Sequence, residues 1–98
     1  MTIEIKKNKE EITMEITGRL DTTTAPALEK TINDNLENVK TLILDLKNLE
    51  YLSSAGLRVL LATQKKMQQV GSMKITNVCE LVMEVFEMTG FADILTIE

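Results

Sequence analysis

Residues 41–46, Thr-Leu-Ile-Leu-Asp-Leu, form a nearly continuous apolar run. A strand that is apolar on both faces belongs in the middle of a sheet, with cover on each side. This run therefore predicts a central strand, and the rest of the chain has to be arranged around it. Two stretches upstream follow another rule. In Thr2–Lys7, Ile3 and Ile5 alternate with Thr2, Glu4 and Lys6; in Glu11–Thr17, Ile12, Met14 and Ile16 alternate with polar residues. A period of two puts the apolar residues on one face. The two stretches read as an antiparallel pair, each strand with one wet face, joined through the polar Asn8-Lys9-Glu10. A fourth strand is expected at Met73–Thr76 and a short final one at Ile94–Ile97.

Between the strands the apolar spacing changes to three and four. Ala25, Leu28, Ile32 and Leu36 make one helical face, with Thr24 placed to cap it and Pro26 tolerated in the first turn, where its missing amide costs nothing. A second helix is expected over Ala55–Gln69, with Leu57, Leu60, Leu61 and Gln64 or Met67 inward and Gly71 ending it. A third is expected over Cys79–Thr89, with Val82, Val85 and Phe86 inward and Gly90 closing it. Gly18–Thr24 and Lys47–Leu52 read as connections. The order is ββαβαβαβ: a single α/β domain over residues 1–98, with a mixed four- to five-stranded sheet packed with helices. A chain of 98 residues, 44% of them apolar, can bury one core without staples.

Composition narrows the chemistry. The net charge is −4, from 11 basic and 15 acidic residues, which argues against nucleic acid as a partner. No apolar run reaches the roughly 18 residues of a membrane span, and the N-terminus has no signal core. With no histidine and only one cysteine, Cys79, the nucleophile pairs and metal sites that need them are missing. Internal disulfides are impossible, which favours the cytoplasm. The expectation is a protein with no cofactor, no metal and no membrane insertion that is not an enzyme.

One stretch stands apart: Tyr51-Leu52-Ser53-Ser54-Ala55-Gly56-Leu57, where a connection meets a helix start. Ligand and partner sites gather outside the carboxyl ends of strands in open α/β sheets. A serine before a helix is also a common cap, and Gly56 can simply allow close packing.

Residues 51–61, Tyr-Leu-Ser-Ser-Ala-Gly-Leu-Arg-Val-Leu-Leu, resemble the signature of STAS domains, specifically bacterial anti-sigma factor antagonists. Gly18-Arg19-Leu20-Asp21, Leu42-Ile43-Leu44-Asp45-Leu46 and Phe86-Glu87-Met88-Thr89-Gly90-Phe91 resemble that family in the same order. The resemblance implies a domain that binds an anti-sigma factor serine kinase while unphosphorylated, so releasing a sigma factor. Phosphorylation at Ser54 would end the binding, and a phosphoserine phosphatase of the metal-dependent class would restore it. Many sporulation-type members carry aspartate before the acceptor, where this chain has Ser53, which makes Ser53 the alternative acceptor. The resemblance further implies that the loop of Asp21 and Thr22–Thr24 contributes to the partner surface. The expected partner-binding residues are Asp21, Thr22, Thr23, Ser53, Ser54, Ala55, Gly56 and Arg58, with Arg58, four residues on along the same face, placed to neutralise phosphorylated Ser54, and the free chain is expected to be a monomer. The alternative it allows is a stand-alone STAS interaction subunit of a lipid ABC transporter, or another partner-switching pathway.

Overall fold

Strand β2 (Glu11–Leu20) organises the sheet. Strand β1 (Thr2–Asn8) pairs with it antiparallel, Thr2 opposite Thr17 and Asn8 opposite Glu11, through a tight turn in which Lys9 takes a left-handed conformation. Strand β3 (Thr41–Asp45) pairs with β2 in parallel, Glu11 with Thr41 and Glu15 with Asp45. Once β3 has ended, β4 (Leu49–Leu52) takes its place beside the last residues of β2, from Gly18–Leu49 to Leu20–Leu52, again parallel. Strand β5 (Ser72–Thr76) lies parallel to β3. Helices α1 (Ala25–Asn35), α2 (Ser54–Gln68) and α3 (Glu80–Thr89) connect and cover these strands, and a single 3-10 turn spans Phe91–Asp93. This computed structural model describes residues 1–98. No helix is long and apolar enough to cross a membrane.

The alternation in β2 does what period two requires: Ile12, Met14, Ile16 and Leu20 are buried. They meet Leu42, Leu44 and Leu46 beside them, Leu28 and Ile32 of α1, Leu57 and Leu60 of α2, and Val82 and Phe86 of α3 in one core.

The single α/β domain with its mixed five-stranded sheet is as expected, but its element order is ββαββαβα, not ββαβαβαβ. Two corrections change the order, and a third lengthens β2. Residues 49–52, read as a connection, are strand β4. Gly18–Leu20, read as loop, continue β2 past a register shift at Gly18/Arg19, which Gly18 accommodates with φ +102°. The expected strand at Ile94–Ile97 is reduced to one parallel bridge between Ile97 and Ile75. Strand β3 is also less covered than its apolar run implied: Leu42 and Leu44 are buried, whereas Ile43 on the other face is only half-buried. Gly71 does not cap α2, whose last residue is Gln68 and whose C-cap is Gln69. It is needed because a β-carbon there would run into the Lys40 carbonyl oxygen.

Candidate functional site

The parallel pairing of β2 and β4 brings their carboxyl ends side by side. Leu20 lies opposite Leu52, and the Ser53 amide donates to the Leu20 carbonyl at 2.9 Å. The segments leaving these ends, Asp21–Thr24 and Ser53–Ala55, therefore emerge next to each other. Each enters a helix at once, because buried Leu20 and Leu52 anchor the strands and polar residues follow them.

The two serines differ in what holds them. Ser53 is the N-cap of α2, half-buried, with its Oγ accepting from the Gly56 amide at 3.3 Å. Ser54 is the first residue of the helix, exposed, and its hydroxyl has no hydrogen-bond partner within the chain. The first amides of a helix lack intrahelical acceptors, so this hydroxyl stands at the positive end of the α2 dipole. Gly56, expected on the partner-binding surface, is buried instead. A β-carbon there would lie 2.6 Å from Leu20 Cγ and 2.9 Å from Leu52 Cδ1, so its absence lets α2 settle onto the ends of β2 and β4.

Asp21 closes the neighbouring loop. Its Oδ1 accepts from the Thr23 hydroxyl at 2.7 Å, the Thr23 amide at 3.0 Å and the Thr24 amide at 3.1 Å. The Thr23 hydroxyl bond, followed by the Thr24 amide bond, holds the Asp21 carboxyl below the usual carboxylate range. Thr24 is indeed the N-cap residue of α1, yet its hydroxyl does not cap the helix. It donates to the Arg19 carbonyl at 2.8 Å and accepts from the Asp21 amide at 2.8 Å, tying the loop to the end of β2.

Between the starts of α1 and α2 lies an open groove of about 350 Å³ lined by Thr22, Ala25, Pro26, Glu29, Ala55 and Arg58, among others. It unites Thr22, Ala55 and Arg58 from the expected set. Arg58 is exposed, sits one turn beyond Ser54 and makes no ion pair. Two further candidates come from the structure. Arg19 stacks over the Tyr51 ring at 4.2 Å from its centroid, and its Nε lies 3.9 Å from Asp21 Oδ2. Both side chains are exposed beside the same strand ends. Their pairing depends on β4 lying beside β2, and no local pattern in residues 49–52 signals it. No cluster of side chains capable of holding a metal is present.

Fold and site together define a small α/β domain with two exposed polar loops at the ends of two adjacent parallel strands. Residues 2–98 match the STAS domain family, and the chain belongs to it. It is 33% identical over 98 residues to the anti-sigma-B factor antagonist of Bacillus subtilis (strain 168), covering 99% of this chain and 90% of that protein. Its structure resembles an anti-sigma factor antagonist from Mycobacterium paratuberculosis with a TM-score of 0.88 at 25% identity, over 98% of this chain and 83% of that one. The fold is also that of SpoIIAA at 18% identity. The TM-score is 0.84 to its unphosphorylated form, over 99% of this chain and 88% of that one, and 0.77 to its phosphorylated form, over 99% and 91%.

Proposed function

We propose that this chain is an anti-sigma factor antagonist of the cytoplasm that works by binding and catalyses nothing. Monomeric when free, it binds an anti-sigma factor serine kinase in its unphosphorylated form, and a sigma factor is released. The kinase ends the interaction by phosphorylating Ser54, and a metal-dependent phosphoserine phosphatase restores it. The observation that carries this reading is the contrast at the start of α2: the Ser54 hydroxyl is exposed and unbonded, while the neighbouring Ser53 hydroxyl is occupied as the cap. The names of the relatives support the antagonist part, and a similar fold solved with and without phosphate supports a switch that does not require refolding.

The contact surface in this reading comprises Asp21, Thr22, Thr23, Ser53, Ser54, Ala55 and Arg58, with Arg19 and Tyr51 added and Gly56 removed. A phosphate on Ser54 gains the free amides and dipole of the helix start, and Arg58, four residues on, leans back toward it along the same face. The test is incubation with the cognate kinase and ATP, followed by peptide mass spectrometry. One phosphate on Ser54, lost in Ser54→Ala and retained in Ser53→Ala, is expected. Modification confined to Ser53 overturns the assignment.

A further inference from the structure

The charge of the chain is not evenly spread. Residues 79–98 contain five acidic side chains, Glu80, Glu84, Glu87, Asp93 and Glu98, and no basic one. With 11 basic and 15 acidic residues in all, residues 1–78 are left with one net positive charge. The acidic segment includes α3, which buries Val82 and Phe86 against the core. Beside that inward face, Leu81, Val85 and Met88 recur at the spacing of one row along the helix. Val85 is half-buried, but Leu81 is 57% exposed and Met88 87% exposed, and Ile94, just beyond the helix, is 47% exposed. Glu80, Glu84 and Glu87 repeat the same spacing one residue earlier, so an acidic row runs alongside the apolar one. All three glutamates are exposed and none is ion-paired; of the segment's acids only Glu98 has a cation, Lys74 at 3.3 Å. Glu80, in the first turn of α3, is favoured by the helix dipole, but like charges three and four residues apart weaken a helix, so helix stability does not account for Glu84 and Glu87 continuing the row.

We propose that this face of α3 is a second interaction surface, independent of the Ser54 surface, and that it receives a basic amphipathic helix of a partner protein. The apolar ridge of that helix covers Leu81 and Met88, and its lysines or arginines meet Glu80, Glu84 and Glu87. Charge decides against the other occupants. A second copy docked two-fold with its α3 antiparallel sets acidic row beside acidic row, one docked parallel leaves both rows without a cation, and an anionic bilayer repels the same row. Contact with the apolar ridge supplies the affinity, and the charges supply orientation and salt dependence.

The probe is a synthetic helical peptide with leucines at the spacing of Leu81, Val85 and Met88, flanked on one side by lysines. The same peptide with glutamates for lysines is the control. Both are titrated into the 15N-labelled full chain and followed by NMR. Saturable shifts confined to residues 79–98 are expected with the basic peptide, weakening as salt is raised, and unchanged in Ser54→Asp. Leu81→Ser/Met88→Ser is expected to weaken binding roughly tenfold or more, and Glu80→Lys/Glu84→Lys/Glu87→Lys to abolish it. Both variants alter exposed positions, and their amide spectra report whether they are folded. Shifts centred on residues 19–24 and 51–58, equal binding of the acidic peptide, or binding indifferent to both variants overturns the proposal. Concentration-dependent shifts on α3 without peptide overturn it in favour of a second copy of the chain.

Discussion

Ser53 and Ser54 carry the same hydroxyl one residue apart, and the helix start gives the two hydroxyls different work. The Ser53 Oγ satisfies the Gly56 amide. Ser53→Ala should therefore remove about 1 kcal/mol of stability, which for a domain of this size lowers the melting temperature by roughly 4–8 °C. Ser54→Ala removes a hydroxyl with no partner and should leave stability within about 0.5 kcal/mol. Paired thermal melts of the two variants read this difference directly, and a larger loss in Ser54→Ala would mean that the caps had been assigned in reverse. Asp21 is legible at the same scale through its titration. Its bonds from Thr23 and Thr24 favour the ionised form, so its folded pKa lies below the ordinary 3.8. The unfolded chain then binds the proton more readily, and stability from this group rises with pH. That stability is fully present above pH 3.8 and is lost as the pH falls through the lower, folded value. Urea denaturation at stepped pH should show a shallower acid loss in Asp21→Asn than in the unaltered chain, with the difference confined to that acid window.

At the scale of elements, legibility followed periodicity. Strand β2 buries Ile12, Met14 and Ile16 as its spacing assigns, α1 buries Ala25, Leu28 and Ile32, and α3 buries Val82 and Phe86, while Leu36 and Val85 at the edges of those faces are only half-buried. Strand β4 follows no such spacing. Leu49 and Leu52 are buried while Glu50 and Tyr51 between them are exposed, an apolar interval of three in a four-residue strand. Its partner stretch begins at the register shift beside Gly18, where period two is interrupted. No local pattern distinguishes such a strand from a turn; its identity comes from the partner it pairs with. The same gap hid the Arg19–Tyr51 stack, since those residues meet only when β4 lies beside β2. The serine loop itself was visible from local chemistry, because capping is local. Two glycines test how the elements close on each other. In Gly56→Ala the new methyl falls 2.6 Å from Leu20 Cγ, and overpacking of about 1–3 kcal/mol outweighs the ~1 kcal/mol that alanine gains in a helix. In Gly71→Ala it meets the Lys40 carbonyl, whose oxygen also accepts from the Ser72 amide at 2.8 Å. Backbone cannot swing aside as leucine side chains do, so Gly71→Ala should be the more destabilising of the two. Chemical denaturation midpoints order them, and a stabilised Gly56→Ala would refute the tight seating of α2.

At the scale of the whole molecule, the sheet and helices form one core, and the proposed switch is a point on its surface, at the end of α2 that meets β2 and β4. A phosphate on Ser54 adds about −1.5 to −2 charges to a chain that already carries −4. That added charge can act in two ways: by loosening the fold or by blocking the partner. Loosening is disfavoured. The position is exposed, the helix dipole favours an anion there, and the unpaired Arg58 follows one turn later. Blocking requires little. A like charge on the partner about 5 Å away costs roughly 3 kcal/mol at an effective dielectric of 20, which corresponds to about a hundredfold in affinity. Ser54→Asp, carrying a smaller charge, should weaken binding of the proposed partner, an anti-sigma factor kinase, by at least about tenfold while its stability stays within about 0.5 kcal/mol of the unaltered chain. Arg58→Ala should raise the second pKa of the phosphoserine, seen as a shifted 31P titration, because removing a cation disfavours the dianion. Titration calorimetry against the kinase and thermal melts of the same preparations separate the two mechanisms. If binding falls only in step with a lowered melting temperature, the phosphate acts by unfolding α2 and the surface switch is refuted; if binding falls with the melting temperature unchanged, the charge acts at the contact.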